Sequence, residues 1–580
     1  MQGWNVGVAR TDFTIFDRDA EMMGWAQPRN RAHAVASPLQ CRAFVFEDPA
    51  TGARVAIAVL EICFVSESIR RQVADAVADD GIPEANLMLL ATHTHSGPGG
   101  YSWDLAYTMT TPGFRPHILA HLVEGTVTAI REAARGLKPA RVEAAETVIP
   151  LSEPVAFNRS PRAWNANPGV RKVRWEDRHL ATDRTMWLLR IVGEDGTPMG
   201  CLSFFAVHCT SVHSDQRWLN GDNKGYASDA LEAWAREAWD VDYVAAFAQG
   251  AAGDVSPNFR WDPHRGLRVG VYDDDFASAR LVGEIQAGQA WARLQRAGWT
   301  PLEGTLDAAM RWTDFHDAPV DPQHAGGIRG RRTGFAQYGM GFLEGTEEGP
   351  GPMLELRTLN QVLHRSVGAA KRVAGWMGLH PEGALDAQGP KYTFLQTGRG
   401  GSGLAFGFFS MGDPQAPDWL DATVAEARRL HRSGTLGSRP WTAHILPLQV
   451  VRLGPWAVVG IPMEATTRAG QRIGALVQEG LAASGVGTVV PAAYANGYVG
   501  YLTTREEYLC QCYEGSSTVF GQWTLGAVLT ALDSVVARLG VPAGERPVLH
   551  DPRPVPLTEA ELAARSQVVH HHSPLARLMR

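Results

Sequence analysis

Two histidines spaced i, i+2 stand in Ala91-Thr92-His93-Thr94-His95-Ser96-Gly97-Pro98-Gly99-Gly100, directly after the apolar run Leu87 to Ala91. In extended backbone, side chains at i and i+2 leave the same face. Neutral imidazole is the commonest metal ligand and suits zinc. The Gly/Pro-rich continuation lets backbone approach a ligand closely. The chemistry on offer is metal binding or proton transfer; the plainer reading is a pair of loop histidines closing a strand. Ser96-Gly97 is not the Asp-His of the metallo-β-lactamase pattern. Phe204-Phe205-Ala206-Val207-His208-Cys209-Thr210 repeats the geometry with one histidine, a type that more often serves core or cap. His213, five residues on, is expected to be exposed.

A third junction is Ala248-Gln249-Gly250-Ala251-Ala252-Gly253-Asp254-Val255-Ser256-Pro257-Asn258. Ser256 offers a nucleophile or a polarising hydroxyl, but Gly253-Asp254-Val255-Ser256 is not the G-x-S-x-G elbow. A turn in which Asp254 and Ser256 satisfy backbone donors would suffice. Gly460-Ile461-Pro462-Met463-Glu464 brings a carboxylate to a fourth strand end, where a Glu before a helix is ordinarily favoured by the helix dipole. Tyr494, Tyr498 and Tyr501 follow the next strand. Spacing alone singles out neither Glu464 nor Tyr501.

The elements that must position these residues are legible as alternating β and α patterns. Val55 to Leu60 and Leu87 to Ala91 read as strands around a helix from Glu67 to Asp79, capped by Ser66 or Ser68 and stopped by Gly81-Ile82-Pro83. Phe114 to Arg135 is a long helix ended by Gly136 and Pro139. Arg141 to Pro150, Met186 to Val192, Cys201 to Val207 and Tyr243 to Ala248 are strands, with a helix from Tyr226 to Trp239 preceded by a capping Asp222-Asn223-Lys224-Gly225. Segments 262–275 and 313–352 read as loops. Trp456 to Ile461 is a strand, Thr466 to Leu481 a helix, and Val489 to Tyr501 a strand-like stretch. A short helix from Glu559 to Arg565 lies in a Pro-rich tail. Repeated β-loop-α units predict an α/β fold with a large mixed sheet. The expected organisation is one catalytic domain over 1–545 and a tail over 546–580.

In open α/β sheets, ligands bind outside the carboxyl ends of the strands. His93, His208, Ser256 and Glu464 all sit at such ends. Two His and a carboxylate form a catalytic zinc set that leaves room for water; Glu464 acting as a general base is the alternative.

Composition bounds the partners. The 580 residues are 45% hydrophobic and 20% charged, as in globular proteins, with Gly 61 and Pro 35 giving many loops. Net charge is −7, and only Lys138, Lys172, Lys224, Lys371 and Lys391 are lysines among 54 basic residues. A broad polybasic surface for nucleic acid is therefore not expected. The six cysteines form no C-x-x-C and read as buried thiols. No run of 18 apolar residues predicts a transmembrane helix. The N-terminus carries no signal-peptide pattern, so a cytoplasmic protein, or a trimmed secreted one, is expected.

Taken together, the segments resemble the neutral/alkaline, non-lysosomal ceramidase family. The resemblance rests on the Ala91–Tyr101 stretch, Asn158-Arg159-Ser160-Pro161, Val207-His208-Cys209-Thr210-Ser211, and Asp222-Asn223-Lys224-Gly225-Tyr226-Ala227-Ser228. It continues through Gly253-Asp254-Val255-Ser256-Pro257-Asn258, Glu344-Gly345-Thr346-Glu347-Glu348-Gly349-Pro350, Tyr501-Leu502-Thr503-Thr504-Arg505-Glu506-Glu507-Tyr508, and Tyr513-Glu514-Gly515-Ser516-Ser517-Thr518. Order and spacing agree over roughly residues 5 to 540, least well over 259–343. The resemblance implies zinc-dependent hydrolysis of an N-acyl amide, ceramide to sphingoid base plus fatty acid, at one zinc ion. It implies His93, His208, Glu464 and Tyr501 as ligands, and His95 and Arg159 orienting the scissile carbonyl. It also implies help from Gly24, substrate contact by Tyr513, and either Ser256 or zinc-bound water as nucleophile, of which water is favoured. Alternatives are hydrolysis or acyl transfer on another N-acyl amide or lipopeptide, and a non-catalytic ligand-binding relative. Members of the family typically carry a secretion signal and a C-terminal β-sandwich; neither is expected in this chain.

Overall fold

The computed structural model describes residues 3–18, 20–27, 30–108, 111, 113–351, 362, 366, 387–398, 404–406, 409–411 and 439–566. The larger sheet contains β1 (Trp4–Asp12), β2 (Gln40–Glu47), β3 (Arg54–Leu60), β4 (Leu87–Ala91), β5 (Lys138–Val148), β6 (Thr185–Gly193), β7 (Pro198–Phe205) and β8 (Val244–Gln249). Their order is β8-β7-β6-β5-β1-β2-β3-β4, with Thr300–Pro301 added against β5. A smaller sheet holds β9 (Leu306–Asp314), β10 (Ile445–Leu453), β11 (Trp456–Gly460) and β12 (Thr488–Ala492), side by side in that order. The sheets are mixed. Most neighbours are antiparallel, but β3–β4, β7–β8 and β11–β12 are parallel.

Parallel neighbours need a crossover, here a helix each time. These are α1 (Glu67–Val77) between β3 and β4, α3 (Asp222–Trp239) between β7 and β8, and α5 (Thr467–Leu481) between β11 and β12. Ser66 caps α1 as expected, accepting from Ile69 N; Thr466, read as the first helical residue, instead caps α5 by accepting from Ala469 N; and α3 has Gly221 before it with no side-chain cap, so the cap expected at Asp222 is not formed. The other long helices are α2 (Pro116–Arg135), with proline in its first turn, α4 (Asp275–Leu294) and α6 (Thr524–Leu539).

Side-chain alternation explains the layering. Phe44, Phe46, Val55, Ile57, Met88 and Leu90 of the large sheet pack with Val451, Leu453, Trp456, Val458 and Val490 of the small one. The intervening residues Ala43, Val45, Ala56, Ala58, Leu87 and Leu89 instead join a core with α1 and α2 residues such as Ile69, Val73, Ile118 and Leu122. On the far face of the small sheet, Val450 and Val459 meet Ile473, Val477, Val528 and Leu532 of α5 and α6. A third core packs α3 and α4 on β7 and β8. The architecture is helix–sheet–sheet–helix. Each large apolar side chain so buried contributes about 1.5–3 kcal/mol against exposure.

Several expectations need adjustment. Helix α3 begins at Asp222, inside the stretch expected to precede it. Of the Val489–Tyr501 stretch the part up to Ala492 is strand, the middle turns back toward the site, and Tyr501 opens a two-residue strand with Leu502. The 262–275 loop is entered by a hairpin pairing Arg260–Asp262 with Leu267–Val269. Segment 313–352 contains the end of β9 and short pieces at Gln337–Gly339 and Gly341–Glu344. Cys41, Cys63, Cys201 and Cys209 are buried, whereas Cys510 and Cys512 are partly exposed. After α6 the described chain forms no second sandwich. It runs back over the domain, with Arg553 on Glu84, Asp551 accepting from Trp312 N at 2.9 Å, and a final helix Glu559–Ser566 whose Arg565 O accepts from Phe114 N at 2.8 Å. Among the described residues no helix is long and apolar enough to cross a membrane.

Candidate metal centre and active site

Each of the three β-helix-β units points the carboxyl end of one strand at the same place. His93 and His95 follow β4, His208 follows β7, and Glu464 follows β11. Backbone hydrogen bonds lock the loops together. His93 N donates to Ile62 O (3.0 Å), and His95 N donates to Cys209 O (3.2 Å) beside a parallel bridge between Thr94 and Cys209. Glu464 pairs in parallel with Tyr501 and donates its N–H to Gly500 O (2.8 Å). Gly253 N donates to Ala465 O, and a Cβ on Gly253 would lie 2.5 Å from Glu464 O, so only glycine allows this approach. His93 has φ +68°, a left-handed conformation rare for histidine, in the middle of the site.

The imidazoles are oriented by carbonyls behind them. His93 Nδ1 lies 2.6 Å from Cys63 O, and His208 Nδ1 lies 2.7 Å from Ala252 O. A carbonyl only accepts, so each Nδ1 carries the hydrogen and each Nε2 presents a lone pair. Those lone pairs meet one carboxylate oxygen: Glu464 Oε2 is 3.3 Å from His93 Nε2 and 3.1 Å from His208 Nε2. His208 Nε2 is buried and has no hydrogen-bond partner among the described residues. Three converging acceptors fit a cation between them, and backbone-anchored histidines are the usual support of metal ligands.

Burial and charge agree. Burial pushes His208 down to about 4, with Arg159 adding to the effect. Burial, reinforced by His93 and His208, holds His95 well below the usual imidazole range. Glu464 also accepts from Tyr494 Oη (3.3 Å) and from Tyr498 Oη.

His95 Nε2 is 3.2 Å from His93 Nε2, at the edge of the cluster. Gly24 lies behind it at φ +124°, where a Cβ would come 2.5 Å from His95 Cγ. Its neighbour Trp25 meets His95 edge-on at 5.0 Å and stacks on His213 at 5.8 Å. His213, expected to be exposed, is buried: its Nδ1 lies 3.0 Å from Asp275, which also holds Arg265. The α4 carboxylate at Asp275 gives this histidine an interior partner that local sequence does not show.

Arg159 is the hub of the other half. Nε donates to Glu514 Oε1 (2.9 Å), Nη1 to Glu348 Oε1 (3.0 Å), and Nη2 to Gly253 O (2.8 Å) and Tyr501 Oη (2.6 Å). Its guanidinium lies 5.5 Å from the ring centres of both Tyr501 and Tyr513. Although burial works against the charge, Tyr501, Glu514 and Glu348 hold it well above its ordinary value. Burial raises Tyr501 well above the usual phenol range, against Arg159. The Ser256 hydroxyl donates to Glu348 Oε2 and accepts from Asn258 N (2.9 Å). Asp254, buried and raised to about 6, accepts from Thr467 N and Oγ at the start of α5, which is a structural role.

The expected residues thus form two connected groups, His93–His95–His208–Glu464 and Arg159–Tyr501–Tyr513–Ser256. Sequence reasoning missed Glu348, Glu514, Tyr494, Tyr498 and Trp25. The acidic loop 344–350 and the tyrosine cluster were visible, but nothing local marked which members face the site.

Fold and site define a class: a layered α/β protein with a His–His–carboxylate centre buried where strands from two sheets end. The chain belongs to the neutral/alkaline non-lysosomal ceramidase family, whose N-terminal-region model matches residues 4–406 and 414–530. It is similar to the neutral ceramidase of Mycobacterium tuberculosis, 31% identical over 567 residues, covering 96% of this chain and 79% of that protein. The neutral ceramidase of Pseudomonas aeruginosa is 32% identical over 534 residues, covering 90% of this chain and 70% of the relative. A solved ceramidase complexed with C2 superimposes with TM-score 0.77 at 29% identity, covering 96% of this chain and 78% of that one.

Proposed function

We propose that this chain hydrolyses the N-acyl amide bond of ceramide, releasing a fatty acid and a sphingoid base, at one zinc ion held by His93, His208, Glu464 and Tyr501. The observation that carries this reading is the convergence of two oriented imidazole lone pairs on Glu464, in a chain of the ceramidase family. Two imidazoles and a carboxylate are a zinc donor set that leaves a position for water or substrate, and Tyr501 would add a further oxygen in an expanded shell. Bound there, zinc would polarise the scissile carbonyl and acidify a water molecule.

The chain's own residues supply the rest. His95, neutral and next to His93, takes the proton of the attacking water and returns it to the amine as the C–N bond breaks. Arg159 directs its charge at the oxygen that becomes negative. Tyr513 and Tyr501, packed at 5.4 Å edge to face, wall the Arg159 side. Gly24 leaves the space that the His95 ring fills. Water is favoured over Ser256 as nucleophile, because the Ser256 hydroxyl faces Glu348, whose carboxylate is held by Arg159.

The test is fatty-acid release, followed by mass spectrometry, from ceramides, N-acyl amino acids and lipopeptides incubated with the zinc-loaded protein. Release from ceramide that stops with a chelator and returns with zinc is expected. Release only from other amides would keep the mechanism and move the substrate; no release with zinc bound would contradict the reading.

A further inference from the structure

On the amidase reading Arg159 faces the scissile carbonyl, yet it has little left to give. Guanidinium has five N–H donors. Four are taken: one by Glu514, one by Glu348, and two on Nη2 by Gly253 O and Tyr501 Oη. The remaining N–H on Nη1 can serve one carbonyl oxygen. It cannot form the parallel two-bond fork by which arginine captures a carboxylate.

Charge points the same way. Glu348 is surrounded by donors: Arg159 on Oε1, and the Ser256 hydroxyl and Asn258 Nδ2 (3.4 Å) on Oε2. Glu514 accepts from Arg159 on Oε1 and from Ser160 Oγ on Oε2 at 2.6 Å. Both oxygens of Glu348 and of Glu514 are within hydrogen-bonding distance of donors, an arrangement that suits the carboxylate form. In that form the triad of one guanidinium and two carboxylates carries one net negative charge. Side-chain exposures of 8% for Arg159, 3% for Glu348 and 2% for Glu514 leave little water to screen it.

We infer that Glu348 and Glu514 are specificity-determining residues that restrict this site to amides with an uncharged head group, by occupying Arg159 before the substrate arrives. An N-acyl amino acid would bring its carboxylate to two buried carboxylates and find no open guanidinium fork. A head group with hydroxyls brings no charge to the triad and leaves the remaining Nη1 hydrogen for the amide carbonyl. The inference rests on the amidase reading of the site.

The test is a matched pair: ceramide, and the analogue with a carboxylate in place of its primary hydroxymethyl group. Each is incubated with the zinc-loaded protein, and kcat/KM is taken from fatty-acid release. The anionic analogue should be cleaved at least roughly tenfold less efficiently, since juxtaposed like charges in a desolvated site cost that much or more. Glu348→Gln and Glu514→Gln should each lower turnover of ceramide and narrow the ratio between the two substrates. Circular dichroism and zinc content identify a variant that has not folded; the wild-type ratio and the other variant then decide. Equal kcat/KM for the two amides in the wild-type protein would overturn the inference. So would a wild-type preference that folded variants leave unchanged. Failure to cleave ceramide itself would instead overturn the amidase reading beneath it.

Discussion

Two separate places among the described residues bring two histidines and one carboxylate within 4.8 Å: His93, His208 and Glu464, and Asp314, His316 and His444. The residue types are the same; the geometry is not. In the first, the rings cross at 76° with centroids 4.8 Å apart, so two Nε2 lone pairs can aim at one point. In the second, the rings stack at 2° and 4.1 Å. A metal ion lies near the plane of each imidazole it binds, and two parallel planes share no point. The first set is buried and held from behind by Cys63 O and Ala252 O. In the second, all three residues are partly exposed, and His444 Nδ1 is already 2.8 Å from Asp314 Oδ1. A donor list is therefore not a site; what makes one is the fixed direction of the lone pairs.

The sharpest way to break this contrast is to remove one member of each set. His208→Ala or Glu464→Ala should abolish both bound metal and fatty-acid release, while His444→Ala leaves metal content and turnover at wild-type levels. Elemental analysis of purified variants alongside ceramide hydrolysis reads both. Zinc retained by His208→Ala but lost from His444→Ala would reverse the assignment.

Arg159→Ala comes next. It should spare the metal yet lower kcat strongly, and cost about 3–5 kcal/mol of stability because Glu348 and Glu514 are left buried without their partner. Metal content and a denaturant titration separate the two effects. Loss of zinc on this substitution would merge the two halves of the site that the structure keeps apart.

Gly24→Ala probes the packing behind His95. A methyl group 2.5 Å from His95 Cγ, on backbone at φ +124°, forces the ring to move. A loss of about 1–3 kcal/mol is expected from overpacking, with reduced kcat and unchanged zinc content.

The smallest effect belongs to the open cluster. Burial would raise Asp314, but the hydrogen bond and charge of His444 prevail and hold it below its ordinary 3.8. A carboxyl depressed in the folded state adds stability above its unfolded value and loses it as pH falls through the folded one. Asp314→Asn should therefore cost no more than about 0–1 kcal/mol near neutrality. It should also soften the loss of stability below pH 3.8. Urea midpoints across that range check the sign.

Much of this was legible along the chain. Apolar strands running into His93, His208, Ser256 and Glu464 marked the strand ends, and the rule that α/β ligands sit there grouped them. The order of motifs carried Arg159, Tyr501 and Tyr513. The two-sheet stack was not legible, because strands buried on both faces read as continuous apolar runs. Nor were Glu348 and Glu514, which reach Arg159 from 189 and 355 residues away. His213 was misread for the same reason: its partner Asp275 lies on a distant helix.

The most direct measurement is a crystal structure of the zinc-loaded protein with anomalous data collected at the zinc edge. A single strong peak bounded by His93 Nε2, His208 Nε2 and Glu464 Oε2, and none at Asp314, His316 and His444, is the predicted result. A peak at the second cluster, or none at the first while ceramide is still being cleaved, would contradict it.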